Sequence, residues 1–369
     1  MDILLTIMAF FGLIGLIDDL IGGKIGVSDE FNRGLASMGS LAIAYSGFYC
    51  IGTALIERNA QSIAQVTSNL PFDPSLITSC LLCADTGGLN IALALSNTQA
   101  LGIFCGALIG GGLGLTIGFQ MPVFMSTLDK RFLPQFMQGI GYGLIALPAG
   151  LIVGGFLLGL SVMELLINLT PVVVLCIVLI FAFKINLDKS VRVLIVIANA
   201  VRIVSYIFFG LVVVGLFVPQ LAIADTSDVE EIIYAVLRTT VVTAGGLVMS
   251  KLVIRYCQKP LSLFTRILRV NNESVIGLLV SCVSGVAMIP MIPKMDRRGQ
   301  VMNAAFVVCG AYVIGGQMAF VSQMIPASSM PAFMLNKLIS GILAAMLAGI
   351  VVRPEQSTTQ QAPVVSPSQ

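Results

Sequence analysis

Apolar runs of about twenty residues recur from one end of the chain to the other, and no other feature limits the fold so strongly. A helix rises about 1.5 Å per residue, so such a run crosses the ~30 Å hydrocarbon core of a bilayer. The runs cover Leu4–Ile17, Leu35–Leu55, Leu101–Phe124, Phe136–Leu160, Val162–Phe183, Ile203–Ala222, Ile233–Ile254, Phe306–Met324 and Phe333–Val352. Two more, near 74–97 and 274–293, are interrupted by polar residues, glycines or prolines. Of the 369 residues, 57% are hydrophobic and 10% charged, against about 25% charged in soluble domains. Mean hydropathy is +0.99. The expected class is an all-α polytopic membrane protein.

The same composition excludes several activities. There is no histidine, so a histidine base and histidine metal ligands are ruled out. A rhomboid-like serine–histidine protease is ruled out with them, and Asp18 with Asp85 is a poor match to an aspartyl intramembrane protease. The net charge of +2 gives no basic patch for nucleic acid. The eight cysteines fall mostly inside apolar runs, where cysteine acts as a small hydrophobe. Cys80 and Cys83 have redox-motif spacing but no soluble βαβ context. Asp2 and the lack of a basic leader predict that the first helix is retained. No catalytic residue, metal site or cofactor is expected.

The first interrupted segment carries the most chemistry. Asp85-Thr86-Gly87-Gly88 and Asn90 stand inside an otherwise apolar stretch. Each glycine costs a helix about 1 kcal/mol relative to alanine. A carboxylate at the bilayer centre costs about 3 kcal/mol on insertion scales. Acids kept at that cost usually serve a function, the alternative being a polar loop. Asp18 is a possible second acid, with plain solvation at a helix end equally open.

Charge selects a topology. If all eleven segments span, the basic loops alternate between the two sides. If 74–97 and 274–293 are re-entrant, nine spans remain, with the amino terminus outside and the carboxyl terminus cytoplasmic. All of the 20 Lys and Arg except Arg58, Arg238 and Lys337 then lie inside or at inner helix ends, as positive-inside bias requires. The acidic loop 225–231 falls outside. Irregular backbone at membrane depth survives only against protein or water, so both re-entrant segments should line a cavity.

The halves also repeat. Ser75-Leu76-Ile77, Cys83 and Asp85 match Ser274-Val275-Ile276, Cys282 and Ser284. Gln120-Met121-Pro122 resembles Gln323-Met324-Ile325-Pro326, and Pro134, Phe136-Met137 and Gly150 match Pro331, Phe333-Met334 and Gly349. The chain divides into a first helix and link (1–30), a first repeat (31–160), connecting helices (161–228), a second repeat (229–352) and a disordered tail (353–369), which is rich in Gln, Ser, Thr and Pro. In the nine-span topology the repeats are inverted, a hallmark of secondary transporters. Gly106, Gly110, Gly114 and Gly118 fall on one helix face, and Ala311, Gly315 and Ala319 are read the same way. Such stripes serve close packing and, less directly, sliding of a substrate-carrying unit.

Three blocks carry a resemblance: Cys83-Ala84-Asp85-Thr86-Gly87-Gly88, Gln258–Leu261 with Val270–Asn272, and Lys294–Val301. On these the chain resembles the EutH family of bacterial ethanolamine transporters, over about residues 1–352. The family's Cys-Asp-Met-Gly-Gly block falls on Ala84-Asp85-Thr86-Gly87-Gly88, keeping the acid and both glycines. Its Asn-Asn-Ile-Pro falls on Ser284-Gly285-Val286-Ala287, and its Gly-Asp-His on Gly315-Gly316-Gln317. The helix-breaking proline has moved to Pro290 and Pro293.

The resemblance implies an inner-membrane permease for ethanolamine, an ammonium cation at neutral pH. Such a substrate calls for a carboxylate or aromatic face and hydrogen-bond partners. Asp85 is the expected counter-charge. Thr86, Asn90 and Ser284 are the expected hydroxyl and amide partners, with Gly87, Gly88 and Gly285 at the segment tips and Gln120 and Gln317 alongside. Partners are the small amine, the bilayer and, in gating, a second copy in a homo-oligomer. Competing readings are a carrier of the same fold for another small amine or polar solute, and a non-transporting membrane sensor or assembly protein.

Overall fold

A computed structural model describes residues 2–67, 69–256 and 258–353. Among them every regular element is helical. The chain opens with α1 (Asp2–Leu20), α2 (Ser28–Ile56) and α3 (Ala60–Thr67). A short α4 (Ser75–Ser79), a 3-10 turn (Ala84–Thr86) and α5 (Gly88–Leu95) follow. Then come α6 (Gln99–Gln120), α7 (Leu133–Leu157), α8 (Val162–Ile185) and α9 (Leu187–Phe217). The second half holds α10 (Thr226–Tyr256), α11 (Gln258–Leu268), α12 (Asn272–Val283) and a 3-10 stretch (Val286–Lys294). It ends with α13 (Arg297–Gly310), α14 (Gly316–Met324) and α15 (Met330–Val351).

Seven of these helices, α2, α6, α7, α8, α9, α10 and α15, are long and apolar enough to cross a membrane. The protein is a multi-pass membrane protein. α1 is nearly as long, at 19 residues, but carries Asp2, Asp18 and Asp19.

Two spans differ from the sequence expectation. The helix expected over Ile203–Ala222 begins well before Ile203: Asn186 caps α9 by accepting from the Lys189 N–H at 3.0 Å, and the helix runs 31 residues. At about 1.5 Å per residue it exceeds the bilayer core, so its basic first turns extend past the apolar layer. The segment expected as one helix over Phe306–Met324 is divided. Tyr312 takes a left-handed φ of 61°, and the chain between α13 and α14 is unwound. The freed N–H groups of Tyr312 and Ile314 donate to the carbonyls of Ser281 and Cys282 at the end of α12, both at 3.0 Å. Ala311, Gly315 and Ala319 therefore share no helix face. Apart from Arg353, the tail 353–369 lies outside the described residues.

The helices fall into two series with matching starts. α2, α3, α4, α6 and α7 begin at Ser28, Ala60, Ser75, Gln99 and Leu133, while α10, α11, α12, α13 and α15 begin at Thr226, Gln258, Asn272, Arg297 and Met330. Each member of the second series starts 197 or 198 residues after its counterpart. α8 and α9 separate the series and expose apolar side chains such as Phe181, Val196 and Ile203.

The centre of the bundle is the packing of α7 against α13 and α15. Small residues let these backbones approach. A Cβ on Gly143 would lie 2.5 Å from Val308, and one on Gly341 would lie 2.9 Å from the Gly310 Cα. Ser340 Oγ ties the same helices by donating to Leu147 O and accepting from Gly150 N, each at 3.0 Å. α1 and α2 pack on α10 at the other side.

Candidate functional site

Each interrupted segment is a hairpin whose two limbs pack on each other: α4 on α5, and α12 on the 3-10 stretch Val286–Lys294. A carboxylate closes each base. Asp73 Oδ1 accepts from Ser75 N at 3.0 Å and Ser75 Oγ at 2.5 Å, and its Oδ2 accepts from Asn97 N at 2.9 Å and Asn97 Nδ2 at 3.0 Å. In the second hairpin Asp296 Oδ1 accepts from Asn271 N at 2.9 Å and Ser274 Oγ at 2.7 Å, while Asn271 Nδ2 donates to Lys294 O at 2.7 Å. Both clasps join the leading end of a hairpin to its trailing end. The acid comes from the leading end in one and the trailing end in the other. Asp73 is buried, and a buried carboxylate persists only with its oxygens satisfied.

The first hairpin lies on the glycine face of α6. A Cβ on Gly118 would stand 2.5 Å from Leu81 O, and one on Gly114 would collide with the carbonyls of Leu82 and Ser79. The stripe is thus a bed for the hairpin. At the tip, Cys83 is extended and its carbonyl accepts from Thr86 N (3.1 Å), Gly88 N (3.0 Å) and Thr86 Oγ1 (3.3 Å). Gly87 turns the chain at φ 98°, and a Cβ there would collide with Phe48. A Cβ on Gly88 would lie 2.6 Å from Cys83 O. The two glycines shape the tip by sterics.

This turn holds Asp85 partly exposed in the protein interior. Its Oδ1 accepts from Cys83 Sγ at 2.6 Å and, more weakly, from Gln317 Nε2 at 3.4 Å. Gln317 is fully buried, also reaches Cys83 Sγ at 3.3 Å, and its Oε1 has no hydrogen-bond partner. Tyr45, buried on α2 with its ring 4.3 Å from that of Phe320, stands within electrostatic reach of Asp85. Tyr312, at the break between α13 and α14, reaches it as well, and its hydroxyl is within hydrogen-bond reach of Ser284 and the Val286 N–H. Ser284, at the tip of the second hairpin, also accepts from Ala287 N at 3.4 Å.

The structure brings together Asp85, Gln317, Ser284 and Thr86 around the two tips and the unwound chain. Gln120 belongs to the other tip: a Cβ on Gly285 would lie 3.2 Å from Gln120 Nε2, which donates to Val307 O at 3.1 Å. Each tip therefore meets a glutamine from the opposite series, Gln317 at the first and Gln120 at the second. Asn90 is buried on α5, its Nδ2 without a partner, and no hydrogen bond joins it to Asp85 among the described residues. Tyr45, Cys83 and Tyr312 were not singled out as ligands from the sequence. The glycines at 310, 315 and 316 around Tyr312 were the available signal of an unwound segment.

Asp18 is fully buried and not solvated. Its carboxylate accepts from the N–H groups of Ile25 (2.5 Å), Val27 (2.7 Å) and Ser28 (2.8 Å), holding the link between α1 and α2. Arg238 lines a groove of about 460 Å³ with Leu5, Thr6, Ala9 and Tyr234.

Two broken hairpins facing an interior carboxylate, within a bundle of membrane-crossing helices, define a polytopic membrane protein with an internal polar site. A family model for the ethanolamine utilisation protein EutH matches residues 1–351, and the chain belongs to that family. It is 26% identical over 343 residues to the probable ethanolamine permease EutH of Listeria monocytogenes serotype 1/2a (strain 10403S), covering 93% of this chain and 92% of that protein. It is 26% identical over 395 residues to the probable ethanolamine permease EutH of Escherichia coli (strain K12), covering 97% of each. It is 28% identical over 360 residues to the uncharacterized protein YxeR of Bacillus subtilis (strain 168), covering 98% of this chain and 97% of that protein. No solved structure matches the chain. The relatives with a stated activity are named as permeases, not enzymes.

Proposed function

We propose that this protein carries ethanolamine across the bacterial inner membrane and that Asp85 holds the ammonium group of the substrate. The observation that carries this reading is the Asp85 carboxylate itself. It is partly open at a hairpin tip, with one weak amide contact and one thiol contact, and within electrostatic range of two tyrosines. An ammonium offers three N–H donors to such a site and a tyrosine ring offers it a π face. Thr86, Ser284, Tyr312 and Gln317 supply hydroxyl and amide partners for the substrate hydroxyl. The names of the relatives from Listeria and Escherichia support the same substrate.

The fold reading goes further in the same direction. The constant offset between the two helix series supports an internal duplication. From α2 to α10 the chain crosses an odd number of times if neither hairpin spans, so the repeats are inverted. The clasped bases support re-entrant hairpins, each leaving on the side it came from. Alternating access is then rocking of one repeat against the other around a fixed site. The basic loops support an amino terminus outside and a carboxyl terminus in the cytoplasm.

Uptake of labelled ethanolamine into liposomes holding the purified protein tests this function. The expected result is saturable uptake that unlabelled ethanolamine competes away. Ethanolamine that raises the melting temperature without being taken up would instead make the protein a sensor. Uptake of a different small amine in its place would move the substrate to that amine.

A further inference from the structure

Lys337 is a buried cation with no direct bond to Asp85 among the described residues, although the two lie within electrostatic range of each other. It is completely buried in α15, and its Nζ donates to Gly111 O and Ala311 O, both at 2.8 Å, with the Phe333 ring centroid 5.5 Å away. Among the described residues it has no ion-pair partner within contact distance. A cation in such a place is expensive and in membrane proteins marks a functional position.

Both acceptor carbonyls come from irregular backbone. Gly111 lies where α6 is wound wide, in a π-helical stretch over Phe104–Gly114. Ala311 is the first residue after α13, and Gly315 N, which would close a helical turn on it, donates to Tyr312 O at 3.3 Å instead. Gly111 belongs to the first helix series and Ala311 to the second. The ammonium therefore joins the two halves where their helices lapse. Carbonyls of broken helices are the ligands by which many secondary carriers hold sodium at the contact of two repeats. Here a side chain of the protein takes up those ligands. The site also abuts the substrate region: a Cβ on Gly111 would lie 3.3 Å from Gln317 Oε1 and 3.6 Å from Lys337 Cε.

We infer that Lys337 is a tethered cation that does the work of a bound alkali ion between the two halves, and that transport is therefore independent of sodium. The sodium clause rests on the transport reading above, and the cation site does not. The site is tested by melting the full-length protein in an Asp85→Asn background, so that the proposed substrate carboxylate does not respond. Lys337→Ala is expected to melt several degrees lower and to be raised again by methylammonium chloride. Lys337→Met, whose side chain fills the slot, is expected to melt lower with no such rise. A Lys337→Ala protein indifferent to methylammonium, or a Lys337→Met protein as stable as its parent, overturns the site.

The sodium clause is tested on the wild-type chain, so a variant that fails to fold does not weaken it. Uptake is expected to be the same with an inward sodium gradient as with potassium on both sides. Lys337→Met is expected to lose about tenfold or more of the uptake rate, the scale of a lost charge-assisted hydrogen bond. Uptake driven by the sodium gradient overturns the clause. Absence of any wild-type uptake would count against the transport reading alone, and melting would still decide the role of Lys337.

Discussion

At the residue scale, the Asp85 carboxylate is positioned by its neighbours and only lightly engaged by them. Cys83 and Gln317 meet one oxygen, which leaves capacity for a ligand. Tyr312 is within hydrogen-bond reach of Ser284 and within electrostatic range of Asp85. Tyr312→Phe keeps the ring and removes the hydroxyl. It is expected to raise the KM for ethanolamine about fivefold to tenfold, the scale of one hydrogen bond, with the melting temperature unchanged; uptake kinetics and a melting curve check both. Gly87→Ala should behave differently, because φ 98° and the contact with Phe48 leave no room for a methyl group. Loss of folded protein on size exclusion is the expected outcome. Asp85 was legible as a candidate in the sequence because an acid with paired glycines inside an apolar run is conspicuous. Tyr312 was not, because its role depends on a left-handed backbone at a break that apolar composition hides.

At the element scale, the hairpins are closed by polar clasps at their bases, and the first is seated on the glycine face of α6. Asp73 accepts four hydrogen bonds from Ser75 and Asn97. Removing it in Asp73→Ala strands several donors and is expected to cost about 3 kcal/mol or more, seen as a lower midpoint in thermal unfolding without substrate. Asp73→Asn should cost less, since an amide oxygen still accepts from Asn97. The interrupted segments were readable from their glycines, prolines and charges. The clasps were not, because Asp73 and Asn97, or Asn271 and Asp296, stand far apart in sequence and pair only once the limbs fold back. The division between α13 and α14 was missed although glycines flank it, because glycines in an apolar run suit close helix packing equally well and the α12 carbonyls that satisfy its N–H groups are distant in sequence. The early start of α9 was not legible because Lys and Arg suit an exposed helix as well as a loop.

At the scale of the whole molecule, the two helix series keep a fixed offset while differing where it matters chemically. The first has a continuous wide-wound α6, and the second has α13 and α14 with an unwound link. Lys337 has no counterpart in the first series, where Ile140 stands at the corresponding offset. If the second hairpin is entered from the cytoplasm and the first from outside, single cysteines at Gln99 and Arg297, exposed beside the two hairpin bases, in a background free of reactive cysteine are expected to be alkylated from opposite faces. Membrane-impermeant maleimide applied to right-side-out and inside-out vesicles reads this, and labelling of both sites from one face only would contradict the inverted arrangement. Charge bias and internal matches are what argue for this arrangement in the sequence.

The most direct test of the central claim compares ethanolamine binding and uptake by the wild type and Asp85→Asn in the same liposomes. Truncating a buried charge partner costs about 2–5 kcal/mol, so the variant should lose about thirtyfold or more in affinity and show no saturable uptake while melting near the wild type. Equal binding and uptake by a well-folded Asp85→Asn protein would contradict the assignment of Asp85 as the seat of the ammonium.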